Sequence, residues 1–184
     1  MKELSLNILD IAENSLKAGA TLTEISIKES ESELTIIIKD NGCGMSEETL
    51  LSVVNPFYTT RTTRKVGLGI PLFKMAAEQT GGSVEISSRA ADEYPDSHGT
   101  TVTATFYKNH LDFTPLGDII STVVTLIHGH PAQDFIFCHK FGNAVVSIDT
   151  REIRGVLEDV PINSFEILRW IEENLGEQYS EIAK

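Results

Sequence analysis

The sequence predicts an α+β fold, and three features of residues 1–108 predict it. An apolar stripe at helical spacing opens the chain. Two alternating segments separated by a polar turn follow it as an antiparallel hairpin. A second helix then stops at a glycine pair, and two further strands come after it.

The first helix is expected over residues 3–18. Leu4, Ile8, Ile11 and Leu16 form its apolar stripe, while Asn7, Asp10, Asn14 and Lys17 recur at helical spacing on the other face. Gly19 is placed to stop it. Residues 24–28 and 33–39 alternate as strands around the turn at 29–32. Asp40-Asn41-Gly42-Cys43-Gly44-Met45 is a loop, and Ser46 caps a short helix that Asn55-Pro56 ends. A Thr- and Arg-rich loop at 59–65 leads to Gly67-Leu68-Gly69 and a helix over 70–80. Strands at 83–88 and 100–106 follow, with a polar loop at 90–99 between them.

From residue 109 the pattern starts again. Thr114-Pro115 is expected to open a helix to about residue 127, followed by a turn at 128–133. Residues 134–139 and 143–149 read as a second hairpin, and 151–157 and 164–175 as helices. Residues 1–108 are therefore taken as one domain and 109–184 as a small α+β extension that binds a partner.

The chain has 184 residues, 41% of them hydrophobic, enough to bury a core without staples. Its formal net charge is −12. Phosphate contacts need a basic face, so nucleic acid and acidic membranes are excluded as expected partners. No apolar run approaches the length of a membrane span, and the start lacks the pattern of a signal peptide. A cytoplasmic protein is expected. Cys43 and Cys138 read as reduced thiols, and His128, His130, Cys138 and His139 as part of a turn and an ordinary hairpin rather than a metal cluster.

Asp10 and Asn14 are four residues apart on one helix face, and Lys17 follows on it. A carboxylate and an amide oxygen can hold hydrated magnesium, and a lysine can neutralise a phosphate oxygen. A solvated polar face is the plainer reading of this spacing alone. Asp40 ends an apolar strand, where a buried carboxylate can accept from an adenine amino group. Gly42 and Gly44 let the backbone pass close to a base. Arg61, Arg64 and Lys65 precede Gly67 and Gly69, whose position before a helix exposes backbone N–H groups to phosphate. Gly99-Thr100, at the start of the last strand, supplies small side chains to line a pocket.

These segments resemble, in order, the boxes of the GHKL ATPases: gyrase-type topoisomerases, heat-shock chaperones of the ninety-kilodalton class, histidine kinases and MutL proteins. Residues 9–21, with Glu13-Asn14-Ser15-Leu16 and Ala18-Gly19-Ala20-Thr21, resemble the MutL helix box, and Lys17 is similar to histidine kinases. Residues 40–45 are similar to the first glycine box. Pro56-Phe57-Tyr58-Thr59-Thr60-Arg61 resembles the phenylalanine box, Gly67-Leu68-Gly69-Ile70 the second glycine box, and Gly99-Thr100 the last. The resemblance implies the Bergerat two-layer α/β sandwich, with a mixed, mostly antiparallel sheet and helices on one face. It implies ATP and magnesium as ligands. Asn14 would ligate magnesium, Asp40 would bind the adenine amino group and Thr100 would bound the base. Gly42, Gly44 and Met45 would shape the base pocket, and Thr60, Leu68, Gly67 and Gly69 would lie around the nucleotide. On chemistry and position, Lys17, Arg61 and Arg64 are phosphate candidates, and Lys65 is counted with the nucleotide-binding residues.

The sequence departs from the family at two positions. Asp10 stands where hydrolysing members carry a glutamate base, one methylene longer, with Glu13 as the alternative base. Lys65 replaces the first glycine of the second glycine box in many histidine kinases, and the lid segment is short. The expected function is an ATP/Mg-binding regulatory protein of the histidine kinase-like type that signals to, or phosphorylates, a separate protein. The alternatives are a slow MutL-like ATPase switch and a non-hydrolysing ATP sensor on a redox complex. Asp10 and the short lid favour the last, and its redox company follows from residues 112–118 and 149–153, which resemble segments of small ATP-binding proteins found beside iron-hydrogenase subunits.

Overall fold

The computed structural model describes residues 3–54 and 69–182. In chain order the elements are α1 (Leu4–Lys17), β1 (Leu22–Glu29), β2 (Glu33–Asp40), α2 (Glu47–Val54), α3 (Gly69–Gln79), β3 (Ser83–Arg89), β4 (Gly99–Tyr107), α4 (Ile119–Gly129), β5 (Asp134–Phe141), β6 (Ala144–Asp149), α5 (Thr150–Leu157) and α6 (Phe165–Ile182). The strands form one six-stranded sheet in the order β3-β4-β2-β1-β5-β6. All pairs are antiparallel except β1 with β5, so the sheet is mixed and mostly antiparallel, as expected.

Alternation explains the layers. Ile25 and Ile27 of β1, Leu34, Ile36 and Ile38 of β2, Val102, Ala104 and Phe106 of β4, and Phe135 and Phe137 of β5 are buried on one face. Across that face α3, α1, α4 and α6 lie side by side in that order. Phe73 of α3 meets Phe106 with ring centroids 5.5 Å apart, in the tilted geometry that aromatic pairs favour. The C-terminal residues thus extend the same sheet and the same helical layer through β5, β6, α4 and α6.

Three local expectations change. The helix expected from Pro115 begins only at Ile119. Pro115 and Leu116 instead offer their carbonyls to the free N–H groups of Leu4 and Ser5, at 2.9 and 2.8 Å, and so cap α1. Gly117 turns the chain at φ +77°, and Asp118 caps α4 by accepting from the Ser121 N–H at 2.9 Å and hydroxyl at 2.7 Å. Those two hydrogen bonds hold the Asp118 carboxyl below its ordinary range. The last helix runs on to Ile182 because Ile171, Leu175, Tyr179 and Ile182 continue one stripe against the core. Asn7, read as part of the polar face of α1, is buried, and its amide nitrogen has no partner among the described residues.

His139 interrupts the apolar row of β5. It is 1% exposed, next to Ile27 in the parallel register. Its Nδ1 lies 2.8 Å from the Tyr179 hydroxyl of α6, and its Nε2 lies 3.1 Å from Glu29 of β1. Glu29 also pairs with Lys108 at 2.6 Å. Burial lowers the His139 pKa, and the opposing pull of Glu29 is the smaller effect. Burial beside Glu29 likewise keeps the Tyr179 phenol protonated. A histidine whose folded pKa is depressed stabilises the fold above its unfolded pKa, about 6.5, and that stability is lost as pH falls. Urea unfolding is therefore expected to show a falling midpoint between about pH 7.5 and 5.5. His139→Gln should be less stable at the upper pH and should flatten that dependence; an unchanged slope in the variant would contradict the assignment.

Candidate functional site

The site lies where the C-terminal half of α1 meets the end of β2 and the start of β4. Asp40 is the last residue of β2, half-buried on the helix-covered face. Its Oδ2 accepts from the Ser15 hydroxyl of α1 at 2.8 Å. Its Oδ1 accepts from the backbone N–H of Gly42 at 2.9 Å and of Thr100 at 3.3 Å. An ionised carboxylate has about four acceptor positions. Three are filled from within the chain, which fixes the group and leaves about one for a ligand donor.

The sheet register sets the row around Asp40. Thr23 pairs with Asp40, Asp40 with Thr100, and Thr100 with Ser88. Four strands therefore bring one carboxylate and three hydroxyls into line. Ser88 and Thr100 share a hydrogen bond of 2.8 Å, and Ser88 Oγ accepts from the Met45 N–H at 2.8 Å. Thr23 is fully buried, and its hydroxyl has no partner among the described residues.

The loop after β2 is held from both sides. The Asn41 side chain accepts from the Thr21 and Leu22 N–H groups, each at 2.9 Å, and donates to the Thr21 hydroxyl at 2.8 Å. His98 Nδ1 donates to the Gly42 carbonyl at 2.6 Å, which places the ring proton on Nδ1. Gly44 has φ +66°, and a Cβ there would lie 1.9 Å from the Arg89 carbonyl oxygen. Only glycine permits that approach.

At the other end of the site, Asn14 is half-buried and Asp10 is exposed one turn earlier. Both face Gly69, the first residue of α3. A Cβ on Gly69 would sit 3.2 Å from the Asp10 Cβ and 3.7 Å from the Asn14 Nδ2. The positive end of α3 therefore points into the gap beside α1. Lys17 is exposed in the last turn. Glu13 turns away from this gap, and its carboxylate lies 2.8 Å from His130 Nε2, in the turn after α4. Asp10, Asn14 and Gly69 thus form one cluster, and Asp40, Gly42, Gly44, Met45 and Thr100 another. Ser15, next to Asn14 in the helix, ties the two together. Thr60, Arg61, Arg64, Lys65, Gly67 and Leu68 lie outside the described residues.

Residues 2–110 match the family model described as histidine kinase-, DNA gyrase B-, and HSP90-like ATPase. The chain belongs to this ATPase family. Over 93 residues it is 38% identical to the sensor protein SrrB of Staphylococcus aureus, covering 48% of this chain and 16% of SrrB. It therefore spans less than a fifth of that relative's length. Among solved structures, the Aquifex aeolicus MutL ATPase domain complexed with ADP aligns at TM-score 0.54 and 17% identity, over 76% of this chain and 60% of that one. The N-terminal domain of a DNA repair protein aligns at TM-score 0.56 and 14% identity, over 80% and 53%. At these identities the two structures establish the ATPase fold, the two-layer sandwich expected from the sequence.

Ser15, Thr23, Ser88 and His98 escaped the sequence reading. Ser15 had a visible signal, since it occupies a stripe position after Leu4, Ile8 and Ile11 and so had to be a buried hydroxyl with a partner. Ser88 and Thr23 enter the site only through strand register, which the sequence does not display.

Proposed function

We propose that this ATPase domain binds MgATP between α1, the loop after β2 and the start of α3, and uses nucleotide occupancy to signal to, or phosphorylate, a separate protein. The observation that carries the proposal is the Asp40 carboxylate, locked by Ser15, Gly42 and Thr100 with about one acceptor position left. That position suits the exocyclic amino group of adenine. The triphosphate then extends toward Asn14, Asp10 and the N–H groups at the start of α3. Asn14 and Asp10 offer an amide and a carboxylate oxygen one turn apart, hard donors of the kind that magnesium takes while keeping several waters. Asn14 would hold the ion, which would neutralise phosphate charge there. Lys17, Thr60, Arg61, Arg64, Lys65, Gly67 and Leu68 complete the proposed nucleotide shell. SrrB is a sensor protein, which supports a signalling role. A redox partner rests on the resemblance of residues 112–118 and 149–153 alone.

The experiment is calorimetry with two ligands. Asn14→Ala is expected to weaken MgATP binding by at least about tenfold, equivalent to about 1.4 kcal/mol, and to leave adenosine binding nearly unchanged. Equal losses for both ligands would remove Asn14 from the phosphate end.

Turnover is expected to be slow. Asp10 is one methylene shorter than the usual glutamate, and a base displaced by about 1 Å can lose on the order of a hundredfold in rate. Glu13, the alternative base, is engaged by His130. Asp10→Glu should therefore raise phosphate release at saturating MgATP, and Asp10→Ala should lower it. A brisk wild-type rate that Asp10→Glu slows would make Asp10 an adapted base and end the slow-switch reading.

A further inference from the structure

The proposed function requires a surface for a protein partner, and residues 109–182 present one away from the nucleotide cluster. α4 and α6 lie side by side on the helical layer. Between them runs an open groove of about 610 Å³, whose apolar lining is Val124, Phe165 and Leu168. Phe165 is 74% exposed, far from the usual fate of a phenylalanine. Arg169, Glu172 and Glu173 complete the lining. Arg169 is engaged by Glu173 at 2.8 Å, so that among the described residues Glu172 is left without an ion-pair partner, and Glu166 is exposed one residue after Phe165. The surroundings reinforce that sign, since residues 109–184 hold 12 acidic and 5 basic side chains.

We infer that this groove receives an amphipathic, basic helix of the partner protein, its apolar face laid on Phe165, Val124 and Leu168 and its lysines or arginines beside Glu166 and Glu172. An apolar trough between parallel ridges fits the spacing of residues on a helix face. Acidic rims disfavour a second copy of this acidic chain and favour a cationic ligand. The groove also has a mechanical route to the nucleotide site. α4 carries Val124 in the groove, packs against α1, and leads into His130, which holds Glu13 beside Asn14. Its Thr122 hydroxyl donates to the Ser5 carbonyl of α1 at 3.3 Å.

This inference rests on the partner-signalling reading, and its test separates the two. The probe is a fluorescent model peptide of leucine and lysine in a helical amphipathic pattern, with a twin carrying glutamate for lysine, titrated into the full chain by anisotropy. The lysine peptide is expected to bind at low ionic strength. Phe165→Ser and Glu172→Lys should each weaken it by about tenfold or more. Trp170→Ser, a change at a half-exposed aromatic of α6 that does not line the groove, should leave it unaltered. Asp40→Ala should also leave peptide binding intact, so loss of nucleotide binding does not decide the outcome. Equal binding of the glutamate peptide would overturn the inference. So would insensitivity to Phe165→Ser, or sedimentation showing a dimer that Phe165→Ser dissolves.

Discussion

The Asp40 carboxylate is the constraint on which the site depends. Helix, sheet and loop converge on this ionic group, and each supplies it with a donor. Ser15 fixes the rotation of α1 over the sheet. The Gly42 N–H folds the loop back on its own strand end, and the Thr100 N–H binds the start of β4 to the same point. Hydrogen bonds to a charged group are worth about 1.5–3 kcal/mol each, so the three donors converge strongly on this one point. Their arrival places Asn14 one residue along the helix, at the gap where α3 begins. The geometry at the Asn14 end of the site is thus inherited from the geometry at the Asp40 end.

The C-terminal residues share in this arrangement. β5 pairs in parallel with β1, which turns what would be a sheet edge into an interior strand. At the far edge, the Gln178 side chain of α6 accepts from the Ser147 N–H at 2.9 Å and donates to its carbonyl at 3.1 Å, imitating one residue of a neighbouring strand. Between these, His139 joins α6 to β1 through Tyr179 and Glu29, and His130 joins the turn after α4 to α1 through Glu13. The extension is therefore wired to the helix that carries Asp10 and Asn14. This supports a role in conveying the state of the site.

Much of this was legible in the sequence where the signal is local. The stripe of α1, the hairpin of β1 and β2, and the glycine loop after β2 all depend on residues close in the chain, and Asp10 and Asn14, read as sharing one helix face, both lie beside Gly69. What escaped depends on distant partners. Pro115 and Leu116 look like the start of a helix until α1 takes their carbonyls. Asn7 looks exposed by helical phase until the neighbouring layer covers it. The row of Thr23, Asp40, Thr100 and Ser88 is a product of register across four strands, and no spacing within one strand announces it. The parallel pairing of β5 with β1 joins segments more than a hundred residues apart and has no local signature.

The most direct test of the account is the choice between ATP and GTP. A carboxylate with one open acceptor position welcomes the amino group of adenine and repels the carbonyl oxygen that guanine presents there. Calorimetry on the full chain should find GTP weaker than ATP by at least about tenfold, since hydrogen bonds to charged groups are worth about 1.5–3 kcal/mol. Asp40→Ala should remove ATP binding while the circular dichroism of the fold persists. Equal affinity for the two nucleotides, or wild-type ATP affinity in Asp40→Ala, would contradict the claim that Asp40 organises and reads this site.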